Sequence, residues 1–156
     1  MKRLLYSVAW CGVLSLAACQ LTSPEADVSI IIRSGTSFGE CRGYCLTELH
    51  LDANTIIFTR QSWDPEAYPE KRYETPMNAT QWQRLAVLVD FDALRQMKEI
   101  YGCPDCADGG AEWIDVEQDG QRKRVTFEYS DTLEPIAALV EEVRKIRDQM
   151  KAHAEP

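Results

Sequence analysis

The sequence AEWIDVEQDGQRKRVTFEY, residues 111–129, carries the clearest local signal for secondary structure in this chain. Apolar and polar residues alternate over 111–118 and again over 122–129, and Asp119-Gly120 lies between the two runs. An Asp-Gly pair in this position favours a tight β-hairpin, because both residues accept the positive φ angles that such turns require. We therefore predict two adjacent antiparallel strands, each with one apolar face.

Three further strands are predicted before this hairpin. Residues 28–34 are rich in β-branched side chains, residues 44–52 alternate, and residues 55–60 follow the turn sequence Asp52-Ala53-Asn54. Residues 71–75 give a weaker strand signal. Runs of this kind are typical of strands in a sheet that buries one face.

Helical signals lie on both sides of the hairpin. Thr80 is predicted to cap a helix over 81–89, and a second helix is expected over 91–102. A last helix is expected after Ser130 or Asp131, with an apolar stripe at spacings of three and four that we assign to the core. The stripe consists of Leu133, Ile136, Leu139, Val140, Val143, Ile146 and Met150.

The predicted order of elements is β-β-β-α-β-β-α. This order indicates an α+β domain, in which two or three helices pack against an antiparallel sheet of about five strands. We expect this single domain over residues 28–152. Its length suits one hydrophobic core and is too short for two domains of usual size.

The first 18 residues are typical of an export signal. Lys2 and Arg3 give a basic start, and residues 4–18 carry no charge. A membrane-spanning helix needs about 20 apolar residues, and this run is shorter. We therefore expect residues 1–18 to be a signal peptide that is removed from the mature protein.

The sequence Leu16-Ala17-Ala18-Cys19 resembles the lipobox of bacterial lipoproteins. The resemblance implies cleavage before Cys19 and acylation of this cysteine, with residues 19–27 as a lipidated tether. Several acyl chains on one residue anchor a protein durably, because each buried methylene adds about 0.8 kcal/mol. Gln20, in place of Asp after the cysteine, implies transfer to the outer membrane. We thus expect a lipoprotein of the bacterial cell envelope that faces the periplasm.

Acidic residues outnumber basic residues by 25 to 17, which gives a net charge of −8. Two basic residues and no acidic residue lie in the signal, so the mature chain would carry a charge of −10. Nucleic acids and anionic membrane surfaces are recognised through Lys/Arg patches, and this balance argues against both. The expected partners are the membrane, through the lipid, and an unknown protein or small molecule. No cofactor is predicted.

Outside the signal and the lipid position, four cysteines remain: Cys41, Cys45, Cys103 and Cys106. An even number in an exported chain predicts disulfide bonds, and four cysteines allow three pairings, which the sequence does not distinguish. A four-sulfur zinc site is the alternative, but an oxidising compartment favours disulfides over zinc. We therefore predict two disulfides and no metal site.

The sequence SFGECRGY, residues 37–44, resembles the signature of an uncharacterised family of exported bacterial domains. That signature reads Cys-Phe-Gly-x-Cys-Pro-x-Tyr and lies between two strands. The Phe-Gly pair, one cysteine and the tyrosine match, whereas Ser37 and Arg42 replace a cysteine and a proline, and Cys45 is additional. The resemblance covers most of residues 28–150 and implies the α+β fold, without an established activity or catalytic residues.

No catalytic residue is predicted. His50 lies on a strand and His153 near the end of the last helix, so no Ser-His-Asp or Cys-His set is indicated. Glu112, Asp115 and Glu117 fall within one strand. For these three carboxylates a solvated edge is a simpler interpretation than a two-carboxylate hydrolase.

These patterns favour a non-catalytic binding or envelope-maintenance module at the outer membrane. The alternative is a thiol–disulfide protein that uses Cys103 and Cys106, since a C-x-x-C pair is a common redox motif. Asp105 and Asp108 weigh against this alternative, because nearby anions disfavour the thiolate nucleophile.

Overall fold

The computed structural model describes residues 29–154, which form one antiparallel sheet with three helices on one of its faces. The predicted signal peptide, the lipidated Cys19 and the tether over 19–27 lie outside the described residues. In chain order the elements are β1 (Ile30–Ser37), β2 (Leu46–Leu51), β3 (Thr55–Gln61), β4 (Lys71–Pro76), α1 (Ala79–Ala86), α2 (Phe91–Gln96), β5 (Ala111–Gln118), β6 (Gln121–Glu128) and α3 (Ala137–Ala154).

The six strands lie in the order β4-β3-β2-β1-β5-β6, and each neighbouring pair is antiparallel. An α+β fold with an antiparallel sheet is therefore confirmed. The predicted count of about five strands and the order β-β-β-α-β-β-α are wrong in detail, because β4 is a complete strand and two helices follow it. Every residue of β4 pairs with β3, from Lys71 opposite Arg60 to Pro76 opposite Thr55. Pairing with β3 therefore makes this segment a complete strand, which its weak local sequence pattern does not indicate.

One face of the sheet packs against the helices and forms the core. Ile32 in β1 lies opposite Leu51 in β2 and Val116 in β5, and all three are fully buried. Burying a side chain of this size contributes about 1.5–3 kcal/mol. The apolar stripe of α3 covers the same face, so its assignment to the core is confirmed. Its buried members within the helix are Leu139, Val140, Val143, Ile146 and Met150.

The opposite face of the sheet, which we call the open face, has no helix of residues 29–154 packed on it. Its side chains are largely polar, and several form ion pairs. Arg33 pairs with Glu117 at 3.1 Å, and Arg122 pairs with Asp115 at 2.6 Å. The alternating sequence pattern of the strands thus separates an apolar face from a charged one.

α1 begins two residues earlier than predicted. Asn78 is its N-cap instead of Thr80, and the Asn78 side-chain oxygen accepts hydrogen bonds from the N–H groups of Thr80 and Gln81 at 3.0 and 3.2 Å. Both residues are among the usual N-caps, and Asn ranks above Thr at this position.

Asn78→Ala is expected to lower the free energy of unfolding by about 1 kcal/mol, because two N–H groups of the first helical turn lose their acceptor. Urea denaturation followed by circular dichroism measures the change. Thr80→Ala is the control, and it should stay within about 0.5 kcal/mol of the wild type because its side chain is exposed. A larger loss of unfolding free energy in Thr80→Ala than in Asn78→Ala would contradict the assignment of Asn78 as the N-cap.

α2 ends at Gln96, well before the predicted end at residue 102. The chain beyond it pairs with the edge of β6 instead. Thr126 N–H donates to Glu99 O at 2.8 Å, and Tyr101 N–H donates to Thr126 O at 3.0 Å. Pairing with a strand edge therefore prevails over the local helical pattern of these residues.

α3 begins at Ala137, although a start after Ser130 or Asp131 was expected. Pro135 explains the difference, because the residue before a proline is sterically disfavoured in helical conformation. Of the helices within residues 29–154, none combines the length and the apolar character needed to cross a bilayer.

Candidate functional site

A pocket of about 140 Å³ lies at one end of the sheet, between the helix-covered face and α3. Strands β1, β2 and β3, the loop after β1, the residue after β6 and the last half of α3 all contribute to it. The lining residues are Thr36, Phe38, Tyr44, Cys45, Thr47, Arg60, Tyr129, Arg147, Asp148 and Lys151.

The strands supply the polar base of the pocket. Thr36 in β1 lies opposite Thr47 in β2, and their hydroxyl oxygens are 2.7 Å apart, within hydrogen-bond distance. Arg60 in β3 lies opposite Thr47 on its other side. Because directly opposed residues of antiparallel strands share a face, these three side chains continue the helix-covered face beyond the apolar core.

α3 supplies the facing wall. Arg147 and Lys151 lie one helical turn apart and so share a side of the helix, with Asp148 beside them. Arg147 is only 6% exposed. It donates hydrogen bonds to Glu112 Oε1 at 2.8 Å and to Ser34 Oγ at 3.4 Å. These two bonds fix the guanidinium in one orientation.

Glu112 in β5, directly opposite Thr36 in β1, holds Arg147 of this wall in place. Its carboxylate accepts hydrogen bonds from Arg144 Nη2 at 2.7 Å, from Arg147 Nη2 at 2.8 Å and from Ser130 N–H at 3.3 Å. Burial acts to raise the pKa of Glu112, but the hydrogen bonds and positive charges of Arg144 and Arg147 outweigh it. The pKa therefore lies below its ordinary value, and the carboxylate is charged at neutral pH.

The expectation of a solvated edge at Glu112, Asp115 and Glu117 is wrong. β5 lies between β1 and β6 and is thus an interior strand, in which Glu112 and Asp115 are each 1% exposed. Glu112 points towards the helices, whereas Asp115 lies on the open face under Arg122. The carboxylates belong to two separate arginine clusters instead of one two-carboxylate site.

Acid should remove the stability that Glu112 contributes. Because folding lowers its pKa, the contribution is fully present above the unfolded value of 4.5 and is lost as pH falls through the lower folded value. In urea titrations, the stability difference between the wild type and Glu112→Gln should be constant from about pH 7 to 5 and shrink below that range. A difference that already shrinks between pH 7 and 5 would contradict the lowered pKa.

The loop that resembles the family signature forms the rim of the pocket. Phe38 N–H donates to Cys45 O at 3.2 Å, and Cys41 and Cys45 lie at disulfide distance with their Cα atoms 5.6 Å apart. Tyr44 OH donates to Pro69 O at 3.0 Å. Two matched positions of the signature, the Phe and the Tyr, thus line the pocket.

The second cysteine pair lies in the neighbouring loop. Cys103 and Cys106 are at disulfide distance, with Cα atoms 5.4 Å apart. Of the three pairings that the sequence left open, the structure therefore has the one in which both bonds are local. Gly39 N–H donates to Asp105 Oδ1 at 3.3 Å, so the two cysteine-bearing loops touch. Within residues 29–154, no group of three or more His, Cys, Asp or Glu side chains is placed to hold a metal ion.

Phe38 joins the two loops. Gly110 has a φ of +83°, and a Cβ at that position would overlap the Phe38 ring. The ring also packs edge-on against Tyr129, with ring centroids 4.9 Å apart. These contacts fix Phe38 at the rim, where its side chain lines the pocket.

Aromatic and basic side chains surround Tyr44. The Arg60 guanidinium lies 4.7 Å and the Lys71 ammonium 5.1 Å from the centre of the Tyr44 ring, within the range of cation–π contacts. Tyr68 packs edge-on at 6.0 Å, and Trp63 is 56% exposed although its indole N–H is hydrogen-bonded to the rim. Exposed aromatic rings beside a polar pocket are common at ligand sites.

The other residues considered from the sequence lie outside the pocket. Cys103 and Cys106 are exposed, and the Cys103 N–H donates to Glu128 Oε1 at 2.8 Å, which places a carboxylate beside the pair. His50 is half-buried on the open face, with its Nε2 3.5 Å from a carboxylate oxygen of Asp52.

Three basic residues of the pocket were not predicted from the sequence: Arg60, Arg147 and Lys151. Arg147 had a usable signal, because it lies four residues after Val143 and three before Met150, on the apolar stripe of α3. A charged residue on the buried side of an amphipathic helix indicates a buried partner of opposite charge.

No protein-family model matches the chain. A comparison with curated proteins also finds no match. The arrangement of the pocket is therefore the basis for a functional assignment.

Proposed function

We propose that this chain is a non-catalytic binding module of the bacterial outer membrane, and that the pocket between β1–β3 and α3 is its ligand site. One observation carries the proposal. The pocket brings together a polar base, a fixed arginine and an aromatic rim, and polar groups that converge in this way fix the orientation of a ligand in small-molecule sites. Because Glu112 and Ser34 hold Arg147 in place, the site is formed before a ligand arrives.

The groups in the pocket suit binding better than catalysis. The hydroxyls of Thr36 and Thr47 bond to each other, and Cys45 is within disulfide distance of its partner. Among the described residues that line the pocket, Asp148 is the one carboxylate and no histidine is present. A hydroxyl nucleophile is activated by an adjacent base, whereas the hydrogen-bond partner of each threonine hydroxyl here is the other threonine.

The predicted anchor gives the site its cellular position. Acylation of Cys19 would attach the chain to the membrane, and the tether over 19–27 would span about 30 Å at full extension. The pocket would then sample the periplasmic space close to the membrane surface.

Filling the pocket is expected to abolish ligand binding. Thr47→Phe places a ring on the pocket base, whereas Thr59→Phe is a matched control on the open face of the adjacent strand. Native mass spectrometry of the full-length protein, incubated with small molecules extracted from bacterial envelopes, should show a bound compound for the wild type and Thr59→Phe alone. That compound should be recovered unchanged. Absence of any bound compound would contradict the binding function. Chemical conversion of the bound compound would contradict the proposal that the module is non-catalytic.

Intact mass spectrometry of protein extracted from membranes tests the anchor. The proposal expects a chain that begins at Cys19 and carries acyl groups, whereas Cys19→Ala should yield an unacylated chain. Recovery of wild-type protein that retains residues 1–18 without lipid would contradict the proposed localisation.

The alternative proposal is a thiol–disulfide protein. The observation in its favour is that Cys103 and Cys106 are exposed and within bonding distance. Turnover in an insulin reduction assay that disappears in Cys103→Ser would support it. Activity no higher than that of the variant would leave the binding module as the better account.

A further inference from the structure

Positive charge collects around the pocket although the chain as a whole is acidic. Among the described residues, the lining contains one anion, Asp148, and three cations: Arg60, Arg147 and Lys151. Glu112 beside the pocket pairs with both Arg144 and Arg147, so among the described residues four cations face two anions when this cluster is added to the lining. In a chain with a net charge of −8, this excess creates a local potential that attracts anions.

The polar groups of the pocket include hydrogen-bond donors in fixed positions. A guanidinium has five N–H donors, and Arg147, which lines the pocket, uses two of them in its bonds to Glu112 and Ser34. The Thr36–Thr47 hydroxyl pair retains one O–H donor after its internal bond. Donors held in place favour carboxylate and phosphate oxygens, because little ordering remains to be done on binding.

The size of the pocket restricts the ligand. Its volume of about 140 Å³ is close to that of an engineered cavity of about 150 Å³ that holds benzene. It therefore admits one ring or one anionic head group, and a larger molecule would extend past the rim. The rings of Phe38, Tyr44 and Tyr129 provide flat apolar surface for such a ring.

We propose that the pocket binds a small organic acid, in which a carboxylate or phosphate group is carried on a single ring, as in acidic monosaccharides. This inference rests on the proposed binding function and specifies its ligand class. The anionic group contacts Arg147, Lys151 and the threonine hydroxyls, and the ring packs against the aromatic rim.

Isothermal titration calorimetry of the full-length protein in detergent tests the ligand class. The probes are glucuronate, glucose 6-phosphate, inorganic phosphate and glucose. The two acidic sugars should bind. An increase in salt concentration should lower their affinity, because salt screens the attraction between charges. Glucose should give no heat of binding. Glucose binding as tight as that of glucuronate would overturn the proposal, and inorganic phosphate binding as tight as both acidic sugars would overturn its ring requirement.

Two lysines of α3 provide a matched pair of variants. Lys151→Gln should weaken glucuronate binding about tenfold, because one charge-assisted contact is lost. Lys145→Gln should leave the affinity unchanged, since the Lys145 ammonium pairs with Glu141 at 3.0 Å and does not line the pocket. Equal affinity in both variants would contradict the role of Lys151.

The outcomes separate this inference from the binding function. If Thr47→Phe blocks a compound from envelope extracts that none of the acidic probes displaces, the ligand class is wrong and the binding function stands. If native mass spectrometry finds no bound compound and calorimetry gives no heat with any probe, both are wrong.

Discussion

Glu112→Gln is expected to lower the free energy of unfolding by about 3–5 kcal/mol, which is the usual cost of removing one partner from a buried ion pair. The substitution preserves the shape of the side chain and removes its charge. Arg147, which is 6% exposed, would then remain buried beside an uncharged amide. Arg144 would lose the same partner. Urea denaturation at neutral pH measures the loss.

Glu117→Gln is the matched control for this experiment. Glu117 lies on the same strand but on the open face, where its side chain is 32% exposed and pairs with Arg33. Water screens this pair, so the expected loss is at most about 1 kcal/mol. Equal losses for the two variants would contradict the buried position of Glu112.

Gly35→Val is expected to cost about 3 kcal/mol, at the upper end of the range for overpacking. A Cβ at Gly35 would lie 2.5 and 2.6 Å from two atoms of the Trp113 indole, and it would also meet the carbonyl oxygen of Thr47. The Arg124 guanidinium stacks on the indole 3.8 Å from the ring centre, and the Thr47 oxygen belongs to the backbone of β2 and cannot move aside as a side chain can. The backbone of β1 would therefore have to shift.

Ser37→Val is the control for the glycine substitution. Ser37 lies two residues further along β1 and on the same face of the sheet. A β-branched residue suits this strand, so the free energy of unfolding should change by no more than about 0.5 kcal/mol. A loss at position 37 equal to that at position 35 would contradict the close contact between Gly35 and Trp113.

Local patterns were sufficient to predict the hairpin and the role of α3. The alternation around Asp119-Gly120 predicted β5 within its observed bounds and β6 to within one residue, and the spacing of three and four in α3 predicted its buried stripe. Both signals are short in range, since a turn and a helix face are formed by neighbouring residues. Long-range pairing determined what the local patterns missed, including the complete strand β4 on the edge of β3.

The position of β5 in the sheet could not be predicted from its own residues. Its carboxylates suggested a solvated edge, yet β1 pairs with β5 and places it in the interior. Glu112 is tolerated there because Arg144 and Arg147, more than thirty residues later, reach it from α3. A buried charge of this kind is recognised only when its partners are known.

The pocket was missed for a related reason. Its lining comes from β1, the loop after β1, β2, β3, the residue after β6 and α3, and no motif of recognised spacing joins the strands to α3. The resemblance at residues 37–44 implied a fold without indicating a site. The cysteine pairing was equally open, because the choice among three pairings depends on the distance between two loops.

Chemical-shift mapping by nuclear magnetic resonance tests most directly whether the pocket is the ligand site. The full-length protein, labelled with nitrogen-15, is titrated with glucuronate while backbone amide signals are followed. The account predicts that the largest shifts occur at Thr36, Thr47 and Arg147, with little change at Glu48 and His50 on the open face. Shifts confined to the open face, or no shifts at saturating ligand, would contradict it.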